Sequence, residues 1–300
     1  MDYHKTEDKD MTISEQVKNA FPFAINKLPL SGPDNMPTPY YGLFRDDTGE
    51  VASDTTFSRH YEPHTTDDVV ALVEAAQEAF DGGIGKVSTT FHNGHRVVVA
   101  PSREHRRSIF GTRDNIFPRL NISAAYDGRA FKVSLCTYRD ACRNLMMLRR
   151  VSGITESIRH GSNLRSEMDE LIETFGGIAA RWQDIGNAAA EMEQREVRLA
   201  GFLDRIYGTP DERSRAGITR HRNRTEAIIR RVIHERMQTG RPDLGNELVV
   251  SGWEAFNAVQ GYHQHDATRR GNPNEIERAL LALDNQQVAK AERLVFEMAI

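Results

Sequence analysis

Cysteine is nearly absent: Cys136 and Cys142 are the only two in 300 residues, which excludes a disulfide-built fold. Their separation fits neither a zinc knuckle nor a redox pair, so packing is the role expected of both. Long apolar runs are missing too. Stretches such as Val97-Val98-Val99-Ala100 fall far short of the ~20 residues that a membrane-spanning helix needs, which excludes a membrane partner. The opening MDYHKTEDKDMT lacks the basic start and apolar middle of a secretory signal, and a cytoplasmic protein is expected. No G-x-x-x-x-G-K-[ST] occurs, no G-x-G-x-x-G follows a strand, and no G-x-S-x-G is present; standard nucleotide-binding loops and hydrolase elbows are thereby disfavoured. Lysine is scarce as well, with 7 lysines against 32 arginines. Planar, bidentate recognition of phosphate or carboxylate produces that bias, and so does a GC-rich genome.

What is present is a partition of charge. The net charge of −4 conceals a sign that alternates along the chain: residues 1–95 carry −9, residues 96–165 carry +9, residues 166–194 are acidic, residues 195–241 basic and residues 242–300 acidic again. The length suits one large domain or two ordinary ones. Residues 1–64 hold Pro22, Pro29, Pro33, Pro37, Pro39 and Pro63 and read as an irregular, acidic arm. Thr65 to Phe80 reads as a capped amphipathic helix. Two β-hairpins follow, turning at Asn93-Gly94 and Asp127-Gly128, with Phe131, Val133 and Leu135 on one face of a strand and Lys132, Ser134 and Cys136 on a wet or partner-facing side. Tyr138 to Arg150 reads as a helix packed on that sheet. The remainder is helical, in four to six helices. It includes a basic amphipathic helix with Arg220, Arg224, Arg231 and His234 on one face and Ile228, Ile229, Val232 and Ile233 on the other. Another helix is capped by Ser251 and Glu254, with Trp253, Phe256, Val259 and Tyr262 in the core. The fold class expected is therefore α+β, an antiparallel β-hairpin sheet with a packed helix followed by a mainly helical C-terminal half. Three regions follow from this: the arm 1–64, a hairpin-sheet core 65–163, and a helical region 164–300 that is either separate or packed on the sheet.

The segment SREHRRSIFGTRDN, Ser102 to Asn115, places Arg103, Arg106, Arg107 and Arg113 in the connection between the hairpins. With Arg119 they can neutralise phosphates, while Phe110, Phe117 and Tyr126 can stack on bases if exposed. Arg139, Arg143, Arg149 and Arg150 extend the candidate set; intramolecular pairing with the acidic blocks is the competing role for them. No catalytic residues, metal ligands or cofactor are specified. His92, His95, His105, His263 and His265 fit no zinc spacing, and only Asp114, Asp140, His105 and His160 stand out should the chain be an enzyme on nucleic acid.

GTRDNIFPRLNISAAYDGRAFKVSLCTYRDACRNLMM, IRHGSN, FSRHYEPHTTDDVVALVE and SGWEAFNAVQGYHQH resemble, in that order of motifs, a phage- and plasmid-borne family known as domain of unknown function 932. The likeness spans roughly residues 55–265 and implies a mobile-element context. In outline the twin hairpins and helix are also similar to phage single-strand annealing proteins, an analogy of fold alone. The reading is a non-catalytic nucleic-acid-binding protein, with single-stranded DNA favoured and a homo-oligomer expected. The alternative is a protein-interaction factor, for counter-defence or assembly, in which basic and acidic zones pair with each other.

Overall fold

The computed structural model describes residues 11–81, 83–91, 93–210, 214–245, 247–268, 271 and 273–297. In chain order the first elements are α1 (Ile13–Ala20), β1 (Ile25–Ser31), β2 (Pro37–Arg45), α2 (Thr66–Ala79), β3 (Ile84–Phe91) and β4 (Gly94–Pro101). The central strands are β5 (Arg107–Phe110), β6 (Asp114–Ala125), β7 (Phe131–Arg139), β8 (Asn144–Met146) and β9 (Thr155–Ile158). Then come α3 (Leu164–Glu173), α4 (Phe175–Ala180), α5 (Trp182–Glu193), β10 (Glu196–Arg198), α6 (Leu199–Tyr207), α7 (Arg215–Thr239), β11 (Val249–Ser251) and α8 (Gly252–Gly261), followed by α9 (Glu275–Leu283) and α10 (Gln286–Glu297). The fold is α+β, with antiparallel pairing throughout the strand ladders and a helical C-terminal region. No helix of the described residues is long and apolar enough to cross a membrane.

The chain forms two compact units made of interleaved segments. The first comprises the chain up to Ser102 with Arg119–Leu135 and Gly153–Ala180; the second comprises Arg103–Pro118, Cys136–Ser152 and the chain from Arg181. Strands β6 and β7 contribute residues to both.

In the first unit, β3 and β4 form the expected hairpin at Asn93-Gly94, with Phe91 opposite His95. Gly94 has φ 145°, and a Cβ there would lie 2.3 Å from the Ala124 carbonyl oxygen, so the position requires glycine. His92 lies outside the described residues. The helix packed on this sheet is α2, against β4. A capping box between Thr65 and Asp68 starts it, and it buries Val69, Val70, Leu72, Val73 and Ala76. The proline-rich arm is regular over α1, β1 and β2, and residues 46–64 carry only isolated bridges. β1 and β2 make an antiparallel ribbon, with Pro29 opposite Tyr41 and Pro37 opposite Ser31, and a two-stranded ribbon has outer edges on which the missing proline N–H costs no ladder bond. Its tip uses left-handed Asp34 and Asn35, residues that tolerate that conformation. Lys27 Nζ then ties the ribbon to the carbonyls of Arg59 and Tyr61 at 2.9 and 2.8 Å, over a small core of Leu43, Ala52, Phe57, Tyr61 and Tyr126.

Two further expectations are corrected. On β7, Phe131, Val133 and Leu135 are buried as expected, but so are Ser134 and Cys136, so that face is not wet; Ser134 accepts a hydrogen bond from Thr155 of β9. Tyr138 to Arg150 is not a helix. It is the end of β7, a turn in which Arg143 is left-handed (φ 55°), and β8. Leu145, Met146, Met147 and Leu148 are all buried, and a strand covered on both sides produces the same unbroken apolar run as a buried helix.

A histidine cluster sits at the centre of the first unit. His64 Nε2 and His95 Nδ1 are 2.8 Å apart, and the Tyr126 hydroxyl donates to the His64 carbonyl at 3.0 Å. The His64 ring stacks on Tyr126 at 4.3 Å, and His160 stacks on Tyr61 at 5.1 Å. Burial holds all three histidines below their ordinary pKa, His95 at about 4. Their neutral forms are therefore the folded forms. Stability is fully present above the unfolded value of 6.5 and is lost as pH falls below it, because the unfolded chain takes up protons that the folded unit refuses. For His95 alone this amounts to about 2 kcal/mol at pH 5. The melting temperature followed by circular dichroism is expected to fall between pH 7.5 and pH 5, and to fall less in His95→Phe; a pH-independent melt over that interval would contradict the account.

Candidate functional site

In the second unit α7 begins at the Ser214 cap and ends at Gly240, which is left-handed. Its buried stripe is Ile228, Val232, Glu235 and Thr239. A carboxylate on a buried stripe needs a partner, and Arg139, itself fully buried, supplies one: Nη1 donates to Glu235. The same guanidinium grips Asp114 with both Nε (2.6 Å) and Nη2 (2.9 Å). Asp114 also accepts from Arg241 Nη2 at 3.0 Å, and Arg241 pairs bidentately with Glu193 at 2.6 and 3.0 Å. Burial raises the Glu235 pKa despite Arg139. For Asp114, burial pushes upward but the two arginines win and lower it. Burial also drives the Cys142 thiol up to about 12, which is opposite to what a nucleophilic cysteine requires.

Beside the buried stripe runs a second one. Arg220, Arg224, Ala227, Arg231, His234 and Gln238 repeat at alternating steps of four and three and so share one flank of α7. Facing it is a π-turn, Tyr262–Asp266, that continues α8. Widened turns of this kind are rare and recur at functional sites. The turn has identifiable causes. Ala267 N–H reaches back five residues to the Tyr262 carbonyl at 2.8 Å, and Arg278 donates to the freed carbonyls of Gln264 (3.0 Å) and His265. Side chains of α8 and the π-turn complete β8: Gln260 donates to the Leu145 carbonyl (2.7 Å), Gln264 accepts from the Leu145 N–H (2.9 Å), and His265 Nε2 lies 3.1 Å from Asn144 Oδ1.

Between the π-turn and α7 lie two clefts, of about 780 Å³ and 580 Å³, that share Ala227 and Asp266 in their walls. The small side chain of Ala227 leaves room for them. The larger carries Arg143, Arg230, Arg231, His234 and His265; the smaller carries Arg220, Arg224, Tyr207 and Tyr262. Arg224 lies 4.3 Å from the centre of the Tyr207 ring, and the Tyr207 hydroxyl contacts His263 Nε2 at 3.0 Å. The smaller cleft is thus basic with tyrosine walls, whereas in the larger the arginines stand beside Glu235, Asp266 and Glu275. Among the described residues no group of three or more His, Cys, Asp or Glu is arranged to hold a metal.

Of the nine arginines expected at the site, only Arg143 lines this groove. Arg139 is interior and paired, so it has no face for a phosphate. Arg107 donates to Gln183 and packs on α5, where a Cβ at Gly186 would meet its Cδ at 2.5 Å. Arg149 donates to the Leu283 carbonyl, and Arg150 lies 4.2 Å from the Phe296 ring centre. Arg103 and Arg106 are exposed, the former over Phe117 at 5.7 Å. Arg113 is exposed near Gly240, at the C-terminal end of α7, where a cation suits the helix dipole. Arg119 belongs to the first unit. Of the three rings expected to stack if exposed, Phe117 and Tyr126 are buried, whereas Phe110 is exposed and lies over Arg241 at 4.0 Å. Asp114 is consumed by its ion pairs, and His160 belongs to the first unit. The α7 arginines were legible as an amphipathic pattern, although Ile233 is exposed rather than core. Arg230, Tyr207 and Asp266 carried no local signal, because only the tertiary fold brings them to the groove.

Fold and site together define an α+β protein with a buried ion network beneath a basic groove. The chain belongs to the family described as Domain of unknown function (DUF932), which matches residues 55–289 and so takes in α7 and the π-turn. Comparison with curated proteins gives no match, and comparison with solved structures gives none.

Replacing Arg139 by Met leaves Glu235 without its partner and Asp114 with Arg241 alone. The expected cost is about 3–5 kcal/mol of stability in urea denaturation, whereas Arg143→Ala is expected to cost under about 0.5 kcal/mol. A cost for Arg139→Met as small as that of Arg143→Ala would contradict the network.

Proposed function

We propose that this protein binds nucleic acid, with single-stranded DNA favoured, along the groove between α7 and the π-turn. The observation that carries the reading is the arginine stripe of α7 lining two adjoining clefts, the smaller of which also holds Tyr207 and Tyr262. Basic side chains that follow a backbone, interleaved with aromatic rings for bases, are what single-strand binding without strict sequence readout requires. The resemblance to phage- and plasmid-borne proteins adds a context of replication or recombination of a mobile element, in the host cytoplasm and as a homo-oligomer. The role is one of holding rather than cutting the strand, and no cofactor enters it. The exposed Arg103, Arg106 and Arg113 form a secondary contact surface in this reading.

The test is fluorescence anisotropy of labelled single- and double-stranded oligonucleotides over a salt series. The single strand is expected to bind more tightly, with affinity falling as salt rises. Changing Arg220, Arg224 and Arg230 together to Ala is expected to weaken it and to flatten the log–log salt slope by about two, at ~0.7 per lost phosphate contact. Changing Arg103, Arg106 and Arg113 together is expected to have the smaller effect. No binding of any oligonucleotide at low salt would sink the proposal and leave the protein-interaction reading in its place.

A further inference from the structure

Arg231 lines the larger cleft and is already engaged by a carboxylate. Its Nε and Nη2 grip Asp266 Oδ2 and Oδ1 at 2.5 and 3.0 Å. The other side of the guanidinium lies against α8 at Gly261, where a Cβ would stand 2.9 Å from Arg231 Nη1 and 3.1 Å from Asn144 Oδ1. Glycine there makes room for the guanidinium, so its seat is built by the fold. The carboxylate that fills its fork comes from the last residue of the π-turn and is more than a third exposed, whereas the charges around Arg139 are sealed in the interior. Asp266 also stands in the walls of both clefts, where a strand running along the groove would pass.

A guanidinium fork accepts the two oxygens of a phosphodiester in the same planar, bidentate manner as those of a carboxylate. We propose that Arg231 is a phosphate subsite of the groove whose resting occupant is the Asp266 carboxylate, and that a polynucleotide phosphate displaces it. This rests on the nucleic-acid reading above and adds a restraint to it. The Arg231 side of the pair is largely buried and the Asp266 side is open to solvent, so a phosphate delivered by a strand already held at Arg220, Arg224 and Arg230 reaches the fork from the Asp266 side and competes there for the guanidinium. Asp266 thus lowers affinity for anions too short to hold those neighbouring positions.

The probe is a labelled oligo-dT strand, titrated by anisotropy over a salt series against the full chain. Asp266→Asn is expected to bind about fivefold more tightly, the upper range of a solvent-accessible ion pair, with a salt slope steeper in proportion to the fuller Arg231 contact. Glu275→Gln removes a carboxylate from the same cleft wall without freeing an arginine. It is expected to tighten binding less and to leave the slope unchanged. Adding Arg231→Gln to Asp266→Asn is expected to abolish the gain, and thermal melts identify any variant that has lost its fold. If Asp266→Asn behaves like Glu275→Gln while the parent binds, Arg231–Asp266 is a structural pair and this proposal fails alone. If neither parent nor variants bind oligo-dT, the nucleic-acid reading fails and carries this one with it.

Discussion

The second unit is organised around the Arg139 guanidinium, buried at the end of β7 and shared between Asp114 of β6 and Glu235 of α7. A charge in that position is tolerated only when its partners are in place, since a buried ion left alone is far more expensive than one in water. The pairing therefore fixes which side of α7 turns inward. With Glu235, Ile228 and Val232 inward, helical geometry puts Arg220, Arg224, Arg231 and His234 on the adjoining flank. Arg241, just past the end of α7, repeats the logic by joining Asp114 to Glu193 of α5. A hydrophobic seam would hold α7 with similar strength but would specify its rotation less sharply. We read the ion network as the device that sets rotation and hence the position of the groove.

Much of the fold was legible in sequence because it is locally encoded. Asn93-Gly94 and Asp127-Gly128 marked the turns, Thr65 and Ser251 capped α2 and α8 as their spacing required, and Trp253, Phe256 and Val259 are core. The errors share a physical origin. Proline clusters read as breakers, yet the edge of a two-stranded ribbon accommodates them. The run CRNLMML reads as a helix because a strand covered on both faces has no alternation to display. The groups that complete the free edge of β8 include Gln260 and Gln264, and they lie more than a hundred residues away in sequence.

The site was less legible than the fold, and charge explains why. A local count of arginines does not separate Arg139, which is sealed in the core, from Arg143, which lines the groove, or from Arg150, which is exposed and lies on an aromatic ring. The distinction depends on partners distant in sequence: Glu235 for Arg139, Phe296 for Arg150. The strongly basic block at residues 96–165 is thus partly an interior feature. The groove draws most of its cations from the second basic block, where the helical period gave the better indication.

In the proposed reading a nucleic-acid strand lies along the flank of α7 that faces the π-turn. Hydrogen–deuterium exchange of the protein with and without a saturating single-stranded oligonucleotide tests it most directly. The account predicts slowed exchange across residues 220–238 and 262–268, with little change in β3 and β4. Protection confined to residues 102–113, or no protection anywhere while the oligonucleotide is demonstrably bound, would contradict it.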